Sequence, residues 1–591
     1  MLLKQAATQI APLTGLTPEE VLRLLEVPPQ EEMGDVAFPC FTLAKSLRKA
    51  PVVIAGEIAV ALQTEGMDAT AAGPYVNIRF DRNVLSPQLL EEVGSETFGK
   101  LQLGQGARVV IDMSSPNIAK PFGIGHLRST VIGAALYRLY NEAGYTSVSV
   151  NHLGDWGTQF GKQITAYKRW GNEETLQADP IRNSLELYVR FHDEAEKDPS
   201  LETEAREWFR KLEQGDEEAQ RLWTFFVNVS MQEFNRMYER LNVDFDHTLG
   251  ESFYNDKMGA VVEELRAKGL LEESDGALVV RLDEENMPPC LIIKKDGTTI
   301  YPTRDLATAI YRHDVMQADK LLYVVGGEQK LHFRQVFTVL SKMGYDWADH
   351  CEHIPFGLMR FEGRKMSTRR GKVVFLQEVL DEAVARALQI IQEKNPNLEQ
   401  AEQVAEAVGV GAIIFGDLRN NRMNDIDFSL EDAVSFEGET GPYVQYTHAR
   451  IQSVLAKAAN VSHDEQEMDL DTNGSIAEST EASAEVGETH LEKDRMNNLP
   501  VAIIGDTSWA LLKLLSDYPS YLEKAVLRNE PSVIAKYTID VAQAFNRFYH
   551  AERIADAPSG VKAFRVKLAE HTAKRLAYNL SLLGVRAPER M

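Results

Sequence analysis

The residues best suited to chemistry stand close together: Gly123, Gly125 and His126, where an apolar run, Val109 to Met113, has ended in Ser-Ser-Pro and a helical pattern begins. Leu127, Val131, Ala135 and Leu139 recur at helical spacing, so the stretch reads as strand, glycine-bearing turn and helix, the first crossover of a parallel α/β sheet. Two glycines remove Cβ atoms where backbone must approach a ligand, and a helix N-terminus turns unpaired amides toward an anion. That is the chemistry of a nucleotide-phosphate site with an imidazole on its first helical turn. Taken bare, a Gly-X-Gly-His turn is more often an ordinary turn with a satisfied histidine. The surrounding motifs have to decide.

Composition bounds what can hold such a site. An apolar share of 44% over 591 residues suits three or four packed domains. No window approaches the roughly 18 apolar residues of a membrane span, and the start of the chain lacks a charged segment followed by an apolar core, so a soluble, cytoplasmic protein is expected. Cys40, Cys290 and Cys351 match no metal-ligand spacing and read as buried thiols. A net charge of −25 argues on its face against a nucleic-acid partner, but the charge is uneven. Eleven acidic residues and one basic, Lys493, lie between Asp464 and Asp494 among small polar residues, a composition expected of a disordered insertion. Near the C-terminus Lys562, Arg565, Lys567, Lys574, Arg575, Arg586 and Arg590 outnumber Glu570 and Glu589, which suits a phosphate-binding patch or, equally, a solvated helix face.

Residues 1 to 106 read as an α+β module. Thr17-Pro-Glu-Glu20 is a capping box opening a helix, Gly34 to Leu47 leads into another helix, and Pro74 to Phe80 alternates like a strand. Residues 162 to about 250 are charged and helix-periodic, an insertion in the sheet domain. The second half of the sheet is expected from 277–282, 290–293, 321–325 and 353–361, with helices over 303–313 and 331–343. Gly363-Arg-Lys-Met-Ser-Thr-Arg-Arg-Gly371 is a basic stretch bounded by glycines, expected to be a mobile loop. Beyond Leu376 helical periodicity dominates.

Ser114-Ser-Pro-Asn117, Lys120 and Gly123-Ile-Gly-His-Leu-Arg-Ser-Thr130 together resemble the His-Ile-Gly-His signature of class I aminoacyl-tRNA synthetases in its arginyl form, with Gly123 in place of the first histidine. Asn151-His-Leu-Gly-Asp-Trp-Gly-Thr-Gln159, Tyr301-Pro-Thr-Arg-Asp305 and Gly326-Gly-Glu-Gln-Lys-Leu-His332 are similar to further motifs of that family. Lys365, Met366 and Ser367 match the start of the Lys-Met-Ser-Lys-Ser signature, while Thr368 replaces its second lysine; in such members a lysine at the place of Lys120 is thought to compensate. The resemblance covers nearly the whole chain. It implies an α/β fold: a Rossmann-type parallel-sheet catalytic domain (107–380) with a helical insertion (about 162–250), an N-terminal module (1–106) binding the tRNA elbow, and a C-terminal all-α region (381–591) binding stem and anticodon, interrupted by the acidic insertion (about 460–498).

The implied reaction joins L-arginine to ATP as arginyl-adenylate, releases pyrophosphate, and passes the arginyl group to the 2′-hydroxyl of the terminal adenosine of tRNA(Arg), releasing AMP. Activation would need positioning and charge stabilisation rather than a protein nucleophile. His126, Lys120, Lys365 and Ser367 are the candidate catalytic groups, and Gly123, Gly125, His126, Lys365, Met366 and Ser367 the candidate ATP contacts. Magnesium would arrive with the ATP; no tightly bound metal or organic cofactor is expected. A guanidinium-selective pocket needs carboxylates and carbonyls placed for a planar fork. By motif position these are Asp112, Asn117, Tyr301, Asp305 and Gln329, with Asp305 first for the guanidinium and Asp112 an option for the α-amino group. Asn77, Phe80, Tyr549 and Met591 are the implied tRNA contacts, although Phe80 fits a core residue better. No editing domain has room, activation should require tRNA, and the chain should act as a monomer. An adenylating enzyme without tRNA, an inactive RNA-binding paralogue and a class I synthetase of another specificity are the alternatives.

Overall fold

In the computed structural model, which describes residues 2–62, 66–120, 122–295, 301–361, 375–472 and 504–591, the stretch singled out above is indeed strand, turn and helix. Strand β1 (Arg108–Asp112) is the middle of a five-stranded sheet, and helix α1 (Ile124–Glu142) leads to β2 (Thr146–Asn151). β3 (His247–Thr248) lies beyond β2, while β4 (Lys320–Gly326) and β5 (Cys351–Phe356) extend the other side, giving the order β5-β4-β1-β2-β3 with all neighbours parallel. The winding direction reverses between β1 and β4. In such sheets the ligand crevice opens beyond the carboxyl ends of those two strands. α1 lies tight over this point, because Gly133 leaves room for the Met113 side chain where a Cβ would collide.

Two expectations about the sheet are corrected. Residues 277–280 and 290–293 form a separate antiparallel sheet with Leu271–Ser274, because Asp275 and Gly276 both take positive φ (54° and 81°), the two-residue turn that folds a strand back on itself. The run 353–361 is also two strands: Gly357 passes so close to Asn424 that any Cβ would strike its carbonyl, and Met359–Phe361 pairs with Ile426–Phe428 instead.

In the N-terminal module Thr17 caps the helix Pro18–Leu24 as expected, accepting from the Glu20 N–H at 3.2 Å while the Glu20 carboxylate accepts from the Thr17 N–H at 2.8 Å. Tyr75–Phe80 is the middle of three antiparallel strands, between Val36–Pro39 and Met67–Ala72. The stretch after Gly34, expected to run into a helix, first supplies an edge strand whose four residues are all buried, so no alternation marks it in the sequence.

Five helices (Thr158–Trp170, Glu173–Ala178, Pro180–Lys197, Ser200–Glu213 and Glu217–Leu241) lie between β2 and β3. The C-terminal half is helical. Its helix Gly441–Thr472 runs through the first part of the stretch expected to be disordered, and residues 473–503 lie outside the described set. Of the C-terminal basic residues, Arg575 is buried with its guanidinium 3.7 Å from the centre of the Tyr518 ring, and Arg565 pairs with Glu552 at 3.0 Å, so neither belongs to a free basic face. Arg82 with Asp506 and Lys513 with Asp35, both at 2.6 Å, clasp the N-terminal module to the last bundle.

Arg128 on α1 makes a third junction. Its fully buried guanidinium pairs with Asp417 at 3.0 Å and donates to the carbonyls of Gly357 (2.6 Å), Asn424 (3.0 Å) and Arg422 (3.3 Å). One side chain thus ties the crevice helix to the bundle. No helix among the described residues is long and apolar enough to cross a membrane.

Candidate active site

Gly123 caps α1 in an extended conformation (φ −93°), so backbone strain does not demand glycine there. What both glycines leave is room: a Cβ on Gly123 or Gly125 would meet nothing within 4 Å. His126 is half-buried, and its Nδ1 accepts a hydrogen bond from the Gly123 N–H at 3.2 Å. A neutral imidazole accepting at Nδ1 must carry its proton on Nε2. Burial, and then the charge of Lys120, lower the ring's pKa to about 4, so it is neutral at physiological pH. The helix N-terminus therefore presents backbone amides together with an uncharged ring N–H donor. Lys120 is close enough to act on His126, and its Nζ lies 5.6 Å from the centre of the Tyr188 ring on the inserted helices.

The bend between β1 and α1 is held under strain. Ser114 and Ser115 sit at φ 71° and 50°, a region that non-glycine residues enter at a cost of order 1–3 kcal/mol and mostly at functional sites. Bonds on both sides stabilise it: the Ser114 N–H donates to the Ser129 hydroxyl at 3.0 Å, and the Ser115 hydroxyl donates to Asp112 at 2.9 Å. The bend then pairs with the glycine loop after β2, where the Ile118 N–H donates to the Gly154 carbonyl at 3.1 Å. A Cβ on Gly154 would stand 2.6 Å from the Asn117 side-chain oxygen, so this glycine lets Asn117 in.

The residues expected to meet the amino acid come from the strand ends and from the segment that follows residue 300. Asp112, at the end of β1, is buried and already paired with Arg312 at 2.8 Å. Tyr301 is exposed at the start of helix α2 (Tyr301–Asp314), and Asp305, one turn on, bonds the His332 ring at 2.5 Å. Gln329 is exposed in the single turn Gly327–Gln329 after β4. The charges of Asp112, Arg312, Asp305 and Arg304 all act on the buried His152, which puts Asp112 and Asp305 near one buried ring. Nδ1 of His152, the hydroxyls of Tyr254 and Tyr323 and two guanidinium nitrogens of Arg312 are buried there without a hydrogen-bond partner among the described residues. Such orphaned groups mark a place where a polar ligand or water completes the bonding.

Glu251 belongs to this cluster and no sequence motif pointed to it. Its turn is fastened to the glycine loop by Asp155, which accepts from the Ser252 N–H (2.8 Å) and hydroxyl (2.6 Å). Burial pushes the Glu251 carboxyl up to about 7, against the pull of Arg304 at 3.4 Å and helped by Asp305 and Asp155. The folded state binds this proton more tightly than the unfolded chain, whose carboxyl titrates at its ordinary 4.5. The contribution to stability is therefore complete below about 4.5 and lost as pH rises through about 7. Glu251→Gln should gain on the parent protein between pH 5 and 8 in urea-unfolding midpoints; a constant difference would mean the carboxyl is ionised throughout.

Lys365, Met366 and Ser367 lie outside the described residues. The chain returns after them at Phe375, which bridges to Gly123, and the Leu376 N–H donates to the Phe122 carbonyl at 3.1 Å. Of the residues expected to meet tRNA, Asn77 and Phe80 are buried because their strand is the middle one of its sheet; Tyr75 and Arg79 are its more exposed side chains. Tyr549 is 38% exposed on the helix Ser532–Ala551. Met591 packs half-buried against the cluster of Ala387, Ile391, Ala405 and Val408. An open cavity of about 620 Å³ is lined by Gln543, Asn546, Arg547, His550 and Ala551 of the same helix, with Tyr443 and Thr507; Tyr549 itself does not line it.

Three family models match the chain: Arginyl tRNA synthetase N terminal domain over residues 1–80, tRNA synthetases class I (R), catalytic domain, over 88–430, and DALR anticodon binding domain over 444–591. "Arginine--tRNA ligase 2" of Bacillus anthracis is 50% identical over 579 residues, 98% of this chain and 97% of that protein. The "Arginine--tRNA ligase" of Lactococcus lactis subsp. lactis is 49% identical over 97% of this chain and 96% of its own. The solved arginyl-tRNA synthetase of Thermus thermophilus matches with a TM-score of 0.78 at 26% identity, both chains covered 100%. That of Plasmodium falciparum shares the fold, with a TM-score of 0.75 at 21% identity over 100% and 98% of the two chains.

Proposed function

The chain belongs to the arginyl-tRNA synthetase family of class I synthetases, and from that premise we propose how its residues activate L-arginine with ATP and charge tRNA(Arg). The observation that carries the reading is a neutral imidazole with its N–H on Nε2, standing at a helix N-terminus beside Lys120. As the arginine carboxylate attacks the α-phosphorus and pyrophosphate leaves, negative charge grows on the phosphate oxygens. A fixed N–H donor and the first-turn amides of α1 beyond Gly123 stabilise that charge without reorganising. Lys120, Lys365 and Ser367 serve the β/γ side, with Gly123, Gly125 and Met366 against the nucleotide. Magnesium travels with the ATP as part of the substrate.

On the other side Asp305 takes the guanidinium. Asp112 already has its charge matched by Arg312, so it borders the pocket rather than supplying the main counter-charge. Asn117 and Gln329 bind the polar ends of the substrate, and Tyr301 closes over it. A pocket that hydrogen-bonds its substrate rejects analogues lacking those groups by roughly 10⁴ to 10⁵, and an insertion made of five helices supports a chain that works without editing. Tyr549, Met591 and the neighbouring cavity offer the anticodon an apolar and polar surface, and Asn77 and Phe80 shape the elbow-binding module from within. The chain acts as a monomer in the cytoplasm. Activation requires tRNA(Arg), as the family resemblance implies.

Pyrophosphate exchange tests the whole reading. Exchange should occur with arginine alone among the amino acids, and only when tRNA(Arg) is present. Exchange with another amino acid would refute the pocket; tRNA binding without any exchange would identify an inactive paralogue.

A further inference from the structure

The Asp305 carboxylate has two oxygens, and one of them is already held. His332, on the helix Lys330–Lys342, has its Nε2 2.5 Å from Asp305 Oδ2, with the two side chains 20% and 23% exposed. An ionised carboxylate only accepts, so the ring nitrogen is the donor. The ring stands edge-on to Phe333 at 5.3 Å, Phe333 stacks on His353 at 4.7 Å, and His353 Nε2 donates to the Val325 carbonyl at the end of β4 at 2.9 Å. A ladder of rings thus anchors Asp305 to the sheet edge.

We propose that His332 is a positioning residue for arginine selection: by bonding Oδ2 it fixes the rotation of the Asp305 carboxylate that the substrate's guanidinium must meet. This rests on Asp305 being the guanidinium ligand. A guanidinium usually takes both oxygens of a carboxylate with its planar fork. His332 takes one lone-pair site of Oδ2 and so fixes the plane of the carboxylate, with Oδ1 and the second site of Oδ2 left for the fork. An ammonium group, compact and unforked, gains little from a fixed carboxylate plane. His332 therefore favours arginine over lysine without itself touching the substrate.

The test uses the full chain with tRNA(Arg) and measures aminoacylation kinetics. His332→Ala should raise the KM for arginine about tenfold or more, with kcat and the KM for ATP within about threefold. His332→Gln, whose side-chain amide can donate to the same oxygen, should recover most of the loss. The advantage of agmatine over cadaverine as an inhibitor competing with arginine should shrink in the alanine variant and return with glutamine. Asp305→Asn is the control. If Asp305→Asn raises the KM for arginine by about 100-fold but His332→Ala leaves it unchanged, the inference is wrong and the pocket stands. An unchanged KM in Asp305→Asn overturns the pocket itself. Equal damage from alanine and glutamine, or a matching rise in the KM for ATP, would assign His332 to packing and also overturn the inference.

Discussion

His126→Ala lowers the rate of arginine-dependent pyrophosphate exchange by about 10² or more and leaves the dissociation constant of arginine within about twofold. The expectation follows from when its bond forms. In the proposed mechanism the Nε2–H meets an oxygen whose charge grows as the pentavalent phosphorus is approached, so its loss is felt in the transition state and hardly in the ground state. Single-turnover rates measured beside equilibrium binding separate the two. An equal rise in the arginine dissociation constant would place the ring in the amino-acid pocket. The ring also makes a pH statement: with its pKa held near 4 it does not change charge between pH 6 and 8, so loss of activity over that interval cannot be its protonation. A limb in the rate profile near 6.5 that His126→Asn abolishes would show the ring to be open to solvent and cationic.

The second large effect concerns stability. Arg128→Ala removes one partner of a fully buried ion pair and leaves Asp417 charged with no guanidinium beside it. Breaking such a pair costs about 3–5 kcal/mol, well above the 1 kcal/mol usual for a surface pair. Burial pushes the Asp417 carboxyl up even with Arg128 next to it, so desolvation opposes the pairing. Replacing both partners by apolar residues, Arg128→Met with Asp417→Leu, should therefore restore part of the loss. It cannot restore all, because the carbonyls of Gly357, Asn424 and Arg422 also depend on the guanidinium. Denaturant midpoints of the transition that includes the sheet decide the matter; a loss under about 1 kcal/mol from Arg128→Ala would mean water replaces the side chain.

What the sequence revealed follows the range of the forces involved. The strand, turn and helix around His126 were legible because periodicity and turn chemistry are local, as was the Thr17 cap. The same local logic was available in Asp275-Gly276, a hairpin signal that outweighs the apolar run after it. β3 has two residues and Val36–Pro39 is buried throughout, so neither carries an alternating pattern. The motifs led to Asp112, Asn117, Asp305 and His126, but their bonding was not in the motifs. Arg312 meets Asp112, and His332 meets Asp305, only through the fold, and the position of the proton on His126 depends on a backbone amide. Glu251 owes its raised pKa first to burial and then to Asp305 and Asp155, which come from two other segments.

Because Arg82 and Lys513 join the first module to the last, the polypeptide closes on itself like a buckled strap. Its outermost parts are spaced by direct contact and not by the length of chain between them. A large rigid partner laid across both is then measured by a fixed gauge, and can be refused for its outline before any of its letters is read.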